Sequence, residues 1–305
     1  MKNTLRYVTA DVFTTVAYGG NPLAVVLDGR GLSDAHMQKV AREFNLSETT
    51  FILPPTNPAH AARVRIFTPA TELPFAGHPT VGTAWVMAAR GLLPRAGDTA
   101  KAVFEEGVGP VPLTIRFADG APTYVSFTTA IVPEVLAPPP APADLAAMLN
   151  LAPPDLRGEG TPPLSLTCGT PYTCVPLRSV DAVGRARLDL EHWRKHLSAT
   201  PAHKVFVFAR ADANTLQARM FAPGEGVAED PATGSAACAV TEWLVRDDGL
   251  KTGTGRWTID QGIEMGRPSR IFVEADVAQG EITAVRCGGS VVVMSEGELR
   301  RPEDA

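Results

Sequence analysis

The sequence predicts an α+β chain built twice over, each half a strongly curved sheet wrapped around one central helix. Three observations carry this expectation. Short alternating or β-branched runs are interleaved with a few helical patterns along the whole chain. Segments of the first half recur, in order, in the second. Two of the recurring segments, "PTVGTAWVMAA" and "PATGSAACAV", show no polar face, and a helix apolar all round is buried all round.

In the first half, strands are expected at 5–14, 23–28, 49–54, 62–68, 101–106, 111–117 and 123–128. A first helix follows Ser33 as N-cap, with Met37, Val40, Ala41 and Phe44 along one face. A second runs from Pro79 to about Arg90. The stretch "APPPAPA", 137–143, lies in a Pro-rich zone ending near Pro163, which reads as a linker or boundary interrupted by a short helix at roughly 143–150. This divides the chain into an N-terminal half, 1–132, and a C-terminal half, 133–305. In the latter, strands are expected at 164–168, 173–178, 204–209, 215–221, 256–260, 270–275, 281–287 and 290–295. The last of these has two places to go: the second half, or back across to complete the first. A peripheral helix with Trp193 and Leu197 falls near 189–198, and a second helix runs from Pro231 to about Arg246.

The internal repeat is specific. "RIFTP" at 65–69 answers "RMFAP" at 219–223, and "HPTVGTA" at 78–84 answers "DPATGSA" at 230–236. His78 thereby matches Asp230, Pro79 matches Pro231, Gly82 matches Gly234 and Thr83 matches Ser235. Weaker echoes keep the same order: "GNPLAVV" at 20–26 with "GTPYTCV" at 169–175, and "EEGVGPVPLTI" at 105–115 with "QGIEMGRPSRI" at 261–271.

Composition excludes several function classes. The chain has 305 residues, 45% hydrophobic and 20% charged, enough for about two soluble domains. A formal charge of −5 leaves no footprint for nucleic acid or an anionic membrane. No apolar stretch approaches the roughly 18 residues that span a bilayer. The start, "MKNTLRYVTADVF", reads as a strand rather than a secretory signal. The cysteines at 168, 174, 238 and 287 form no C-x-x-C pair, which suits a reducing cytoplasm. His36, His60, His192, His196 and His203 have no coherent metal spacing; His192 and His196 are four apart on a helix, but no carboxylate motif accompanies them. "EEGVGP" lacks phosphate-loop or dinucleotide spacing. No metal, cofactor, nucleic acid or membrane partner is therefore expected.

The buried helices direct attention to their starts. A helix N-terminus carries about half a positive charge and amides without intrahelical acceptors, a ready carboxylate site. Gly82 and Gly234 read as first-turn residues that leave room for a ligand. A two-fold-like duplication is expected to bring both helix starts face to face across one cleft. Asp230 can serve as an N-cap, with Pro231 at the first helical position. His78, in the matching place, is a poor cap, so capping alone does not explain the pair. Glu48, in "NLSETTFIL", sits between a helix ending near Asn45 and an apolar strand beginning at Thr49. Desolvation there is expected to raise its pKa and make it a usable base or acid; the alternative is an exposed loop glutamate. Arg267 reads either as a substrate-facing cation or as a salt-bridge partner. Trp85 and Trp243 read as core.

The motifs "DVFTTVAYGGNPLAVV", "AREFNLSETTF", "RIFTPATELPFAGHPTVGTA", "RMFAPGEGVAEDPATGSAA" and "QGIEMGRPS" resemble the PhzF family, named for phenazine biosynthesis, over residues 11 to 269. The resemblance implies the diaminopimelate epimerase-like fold, two pseudo-symmetric halves of mostly antiparallel sheet, with the site between them. It implies a cofactor-independent isomerase that moves a proton on a small carboxylated substrate, as in trans-2,3-dihydro-3-hydroxyanthranilate isomerisation, and a homodimer. The family's catalytic glutamate falls on Glu48, its GHP segment on Gly77 and His78, and its aspartate and ATGSA segment on Asp230, Gly234 and Ser235. Glu48, His78 and Asp230 are thus the implied catalytic residues, and Gly77, Gly234 and Ser235 the implied substrate contacts. The thiols that epimerases and racemases of this fold carry at the helix starts are missing here; Cys238, about two turns in, reads as core. An epimerase using carboxylate bases and a non-catalytic small-molecule binder remain the alternatives.

Overall fold

The computed structural model describes residues 4–303. Residues up to Ala130, together with those from Gly288 onward, form one compact unit, and Ile131–Cys287 form another. The first holds β1 (Thr4–Val12), β2 (Asn21–Val26), α1 (Asp34–Phe44), β3 (Glu48–Leu53), β4 (Ala62–Phe67), β5 (Glu72–Leu73), α2 (Gly77–Ala89), β6 (Thr99–Glu106), β7 (Gly109–Ala118) and β8 (Ala121–Thr128). The second holds β9 (Glu134–Val135), α3 (Pro142–Met148), β10 (Leu164–Thr167), β11 (Pro171–Pro176), α4 (Val180–Arg185), α5 (Leu190–His196), β12 (Lys204–Arg210), β13 (Thr215–Ala222), β14 (Val227–Asp230), α6 (Gly234–Ala239), α7 (Thr241–Asp247), β15 (Gly253–Gln261), β16 (Ser269–Ala278) and most of β17 (Glu281–Gly289). β18 (Val291–Arg300) belongs to the first unit.

Strand pairing repeats from one unit to the other. In the first, β1 and β2 are antiparallel, β2 and β3 parallel, β3 and β4 antiparallel, β4 and β6 parallel, β6 and β7 antiparallel. In the second, β10 and β11 are antiparallel, β11 and β12 parallel, β12 and β13 antiparallel, β13 and β15 parallel, β15 and β16 antiparallel. Each parallel pair needs a crossover. α1 and α2 supply them in the first unit, α4–α5 and α6–α7 in the second. The α+β, mostly antiparallel duplication read from the sequence is the fold. β18 pairs antiparallel with the free side of β1, from Thr4 opposite Arg300 to Val12 opposite Val291.

Local sequence explains the elements. β7 alternates strictly, burying Val111, Leu113, Ile115 and Phe117, and β16 does the same with Ile271, Val273, Ala275 and Val277. Ser33 caps α1 by accepting from the His36 N–H at 3.2 Å, and Asn45 ends it at φ 50°. Met37, Val40 and Ala41 pack beneath it against Leu5, Val26, Phe51 and Phe67. α2 is buried along nearly its whole length and touches β1, β2, β3, β7, β8 and β18.

Four expectations are corrected. First, the Pro-rich zone is no linker. Leu145, Ala146, Met148, Leu149, Leu151 and Leu156 are buried in the second unit's core with Val175, Val205 and Trp193. Proline there fixes short turns and the start of α3, while the leucines between supply the apolar surface. Second, Asp230 is not an N-cap. It ends β14, opposite Met220, and α6 begins only at Gly234, after Thr233. Third, the helix after Pro231 is broken. Thr241 donates its hydroxyl to the Cys238 carbonyl at 2.7 Å, the kind of back-bond that bends helices, and the run divides at Val240 into α6 and α7. Fourth, Gly82 is not in the first turn. It is the sixth residue of α2, and a Cβ there would lie 2.5 Å from Leu23 Cδ2 and 2.8 Å from Val12 Cγ2. Its missing side chain admits the sheet, not a ligand.

Candidate active site

Glu48 is placed by two abrupt changes of direction. α1 stops at Asn45, whose N–H bonds the Ala41 carbonyl at 3.1 Å. β3 then starts at Glu48, opposite Leu23 of β2. The next two residues, Thr49 and Thr50, are fully buried, which fixes the strand and leaves Glu48 half-buried at its head. Thr50 Oγ1 meets Thr83 Oγ1 at 2.8 Å, tying β3 to α2.

α2 presents His78 as its second residue, directly after Gly77. His78 Nε2 lies 2.9 Å from Glu48 Oε2, with side-chain exposures of 5% and 15%. The contact has the distance of an ion pair but not the direction of a hydrogen bond, and neither atom bonds elsewhere. The pair thus consists of a shielded carboxylate oxygen beside an imidazole nitrogen.

In the second unit, Asp230, Thr233 and Gln261 form one cluster. Thr233 donates its hydroxyl to the Asp230 carboxylate. Gln261, fully buried at the end of β15, donates Nε2–H to the Asp230 carbonyl at 2.7 Å and to Thr233 Oγ1 at 2.9 Å. Its Oε1 accepts the Thr233 N–H at 3.2 Å. One amide side chain therefore fixes both the strand end and the helix start. The preceding residue, Glu229, is held bidentately at 2.8 Å by Arg219, which also donates to the Ala186 carbonyl after α4 at 2.6 Å. Gly234 opens α6, and Ser235 Oγ lies 2.7 Å from Tyr172 Oη. Burial pushes the Tyr172 phenol well above its usual pKa, so it stays neutral and available to orient the serine.

The structure therefore brings Glu48 and His78 into contact, with Gly77 adjacent, and gathers Asp230 with Thr233 and Gln261. Sequence reasoning missed Thr233, Gln261 and Tyr172. Gln261 had a signal, since it heads the "QGIEMGRPSRI" echo.

His192 lies 3.2 Å from Asp189, and His196 3.7 Å from Asp144. Among the described residues there is no group of three or more His, Cys, Asp or Glu placed to hold a metal ion. Cys238 is buried, and burial, followed by its neighbour Cys287, pushes its thiol far above the reactive range. No helix of the described residues is long and apolar enough to cross a membrane.

A duplicated α+β unit with a central buried helix in each half is the epimerase-like fold. The sequence model of the phenazine biosynthesis-like protein family, PhzC-PhzF, matches residues 10–297. The chain belongs to that family. It is 42% identical over 304 residues to an isomerase of Mesorhizobium japonicum, covering 97% of this chain and 99% of that one. It is 37% identical over 302 residues to the trans-2,3-dihydro-3-hydroxyanthranilate isomerase of Pseudomonas aeruginosa, covering 96% and 98%. Among solved structures, a PhzF-family phenazine biosynthesis protein of Bacillus anthracis superposes with a TM-score of 0.86 at 25% identity, over 98% of this chain and 99% of that one. A hydroxyproline epimerase of Agrobacterium vitis shares the fold, with a TM-score of 0.66 at 12% identity over 98% and 93%.

Proposed function

We propose that this isomerase shifts a proton within a small carboxylated substrate, in the manner of its trans-2,3-dihydro-3-hydroxyanthranilate isomerase relative, with Glu48 as the base. The observation that carries the reading is the 2.9 Å contact between Glu48 Oε2 and His78 Nε2. Glu48 takes a proton from one activated carbon and returns it to another. His78 fixes the carboxylate and stabilises whichever protonation state the step leaves behind. General acid–base assistance of this kind is worth about 10²–10⁴ in rate. The first-turn amides of α2, at Gly77 and His78, lack intrahelical acceptors and suit a carboxylate or a developing enolate-like charge. Asp230, Gly234 and Ser235 are assigned to polar substituents of the substrate. A homodimer, on the family resemblance, and a cytoplasmic location, on the cysteine pattern, are part of the same reading.

The test is incubation with trans-2,3-dihydro-3-hydroxyanthranilate in heavy water. The wild type should isomerise it, with solvent deuterium entering at the receiving carbon. Glu48→Gln should fold and lose turnover by about 10²–10⁴. Full activity in that variant overturns the assignment. Inversion of an amino-acid stereocentre with solvent exchange, and no action on the dihydroanthranilate, would make the protein an epimerase instead.

A further inference from the structure

Glu106 is a buried acid with no part in the chemistry above. It is the last residue of β6 and is only 8% exposed. Its Oε1 lies 2.8 Å from Thr80 Oγ1, and the same hydroxyl lies 2.8 Å from the Ala76 carbonyl oxygen. A hydroxyl has one proton to give. With Thr80 donating to Ala76, Glu106 must bring the proton for the second contact. The relay is then Glu106 O–H to Thr80, and Thr80 O–H to Ala76.

The relay ends at a sensitive place. Ala76 precedes α2 and has no side chain that can cap it. The Thr80 N–H reaches its carbonyl only at 3.3 Å, so the hydroxyl is the closer donor. The two residues after Ala76 are Gly77 and His78. A second link runs in parallel, since Val108 N–H donates to the Pro74 carbonyl at 3.1 Å and a Cβ at Gly107 would lie 2.7 Å from Pro74 Cα.

The second unit holds a counterpart. Gln261 ends β15, the strand after α6–α7, just as Glu106 ends β6, the strand after α2. Gln261 reaches back to Thr233 and Asp230 at the helix start, as Glu106 reaches back to Thr80. The sequence echo of 105–115 with 261–271 sets Gln261 against the adjacent Glu105, so the match with Glu106 rests on both residues ending their strands. Where one unit uses a permanently neutral amide donor, the other uses an acid.

We propose that Glu106 is a positioning residue for the Glu48–His78 pair, donating to Thr80 and so holding the first turn of α2, and with it the His78 ring, against Glu48. The relevance to turnover rests on the function proposed above; the effect on the ring does not. Burial pushes the Glu106 carboxyl up to about 8, and only in the ionised state, when Thr80 donates to the carboxylate instead, does their bond oppose that rise. Above that pH the acid has no proton to donate, the Thr80 hydroxyl turns to the carboxylate, and Ala76 loses its closer donor. Arg63, Arg65 and Glu72 of β4 and β5, with Glu105 of β6, border the same cavity of about 200 Å³. Arg65 is taken up by Glu72 and Asp34, and Glu105 by the Thr56 and Asn57 amides and His60. From α2, His78 is the titratable neighbour of Thr80, and Glu48 of β3 lies against it.

The test reads the ring and the reaction separately. In protein carrying ¹⁵N-histidine, with the His78 signal assigned by its loss in His78→Asn, the wild type should show a shift of that signal centred near pH 8. Glu106→Gln should abolish the shift while keeping the ring's low-pH position, because its amide can donate to Thr80. Thr80→Val should displace the signal at every pH. In turnover, Glu106→Leu should lower kcat by about tenfold with little change in KM, and Glu106→Gln should restore most of it and flatten the decline above pH 8. An unchanged shift near pH 8 in Glu106→Gln, or full kcat in Glu106→Leu, overturns the proposal. Failure of the proposed reaction would show instead as absent wild-type turnover, with the His78 signal still deciding this one.

Discussion

His78 and Glu48 meet at 2.9 Å although one opens a helix and the other a strand, with two further strands between them in the chain. The contact is set by α2 lying against β3, through Thr83 and Thr50, and not by either residue's own neighbours. Replacing His78 with Asn removes the ring and leaves the shielded Glu48 oxygen without its partner. Turnover should fall by about 10²-fold or more, with substrate binding less affected. Steady-state kinetics with the folded variant checks this; an unchanged kcat would remove His78 from the mechanism.

Gln261 offers a parallel case in which stability and activity should fail together. Gln261→Leu leaves the Thr233 N–H and the Asp230 carbonyl without the bonds they now make. Each buried group left unsatisfied costs about 1–3 kcal/mol. Urea unfolding should show a loss of that order for the pair. Activity should drop in the residual folded protein, because the Asp230 carboxylate loses the frame that orients it.

Gly82→Ala separates two readings of one glycine. If the position cleared space for a ligand, the variant would keep its stability and bind less. With Leu23 Cδ2 and Val12 Cγ2 at 2.5 and 2.8 Å from the new Cβ, overpacking should cost about 1–3 kcal/mol, more than the roughly 1 kcal/mol a helix gains from Ala over Gly. Adding Leu23→Val should recover part of the loss, and denaturation of the single and double variants measures it.

Glu106 should also leave its mark on stability against pH. Its folded pKa is raised from 4.5 to about 8, so between those values the folded chain holds a proton that the unfolded chain has released. The stability is complete below pH 4.5, falls as pH rises toward 8, and levels off above. The slope from this group approaches about 1.4 kcal/mol per pH unit in the middle of that window. Glu106→Gln should remove it, and denaturant titrations at pH 5, 6.5 and 8 compare the two slopes.

Much of this protein was written in short-range pattern. Alternation marked β7 and β16, Ser33 and Asn45 marked the ends of α1, and "PTVGTAWVMAA" announced a helix that must be enclosed. The repeat of "HPTVGTA" in "DPATGSA" announced the duplication, and the pairing ladders repeat as it implied. These features are legible because each depends on residues a few positions apart, where backbone geometry alone relates side chains to a buried or exposed face.

The same repeat misled where its two copies fold differently. It aligned His78 with Asp230, but α2 starts before His78 whereas α6 starts four residues after Asp230. Capping preferences favoured an earlier start at Pro231, and the tertiary bonds of Gln261 to Asp230 and Thr233 decided otherwise. Thr233, Tyr172 and Glu106 were invisible for a related reason: a hydroxyl, phenol or carboxyl has no periodicity, and its role follows from what distant strand or helix it faces.

The amino-acid order by itself thus determined the class of fold and its twofold construction, because these follow from local periodicity and repeated motifs. Only the tertiary structure decided that Glu48 touches His78, that Gly82 serves the sheet, that β18 returns to pair with β1, and that a buried acid stands behind the first turn of α2. Those relationships depend on which surfaces pack together, and packing is settled by the whole enclosed volume rather than by any one segment.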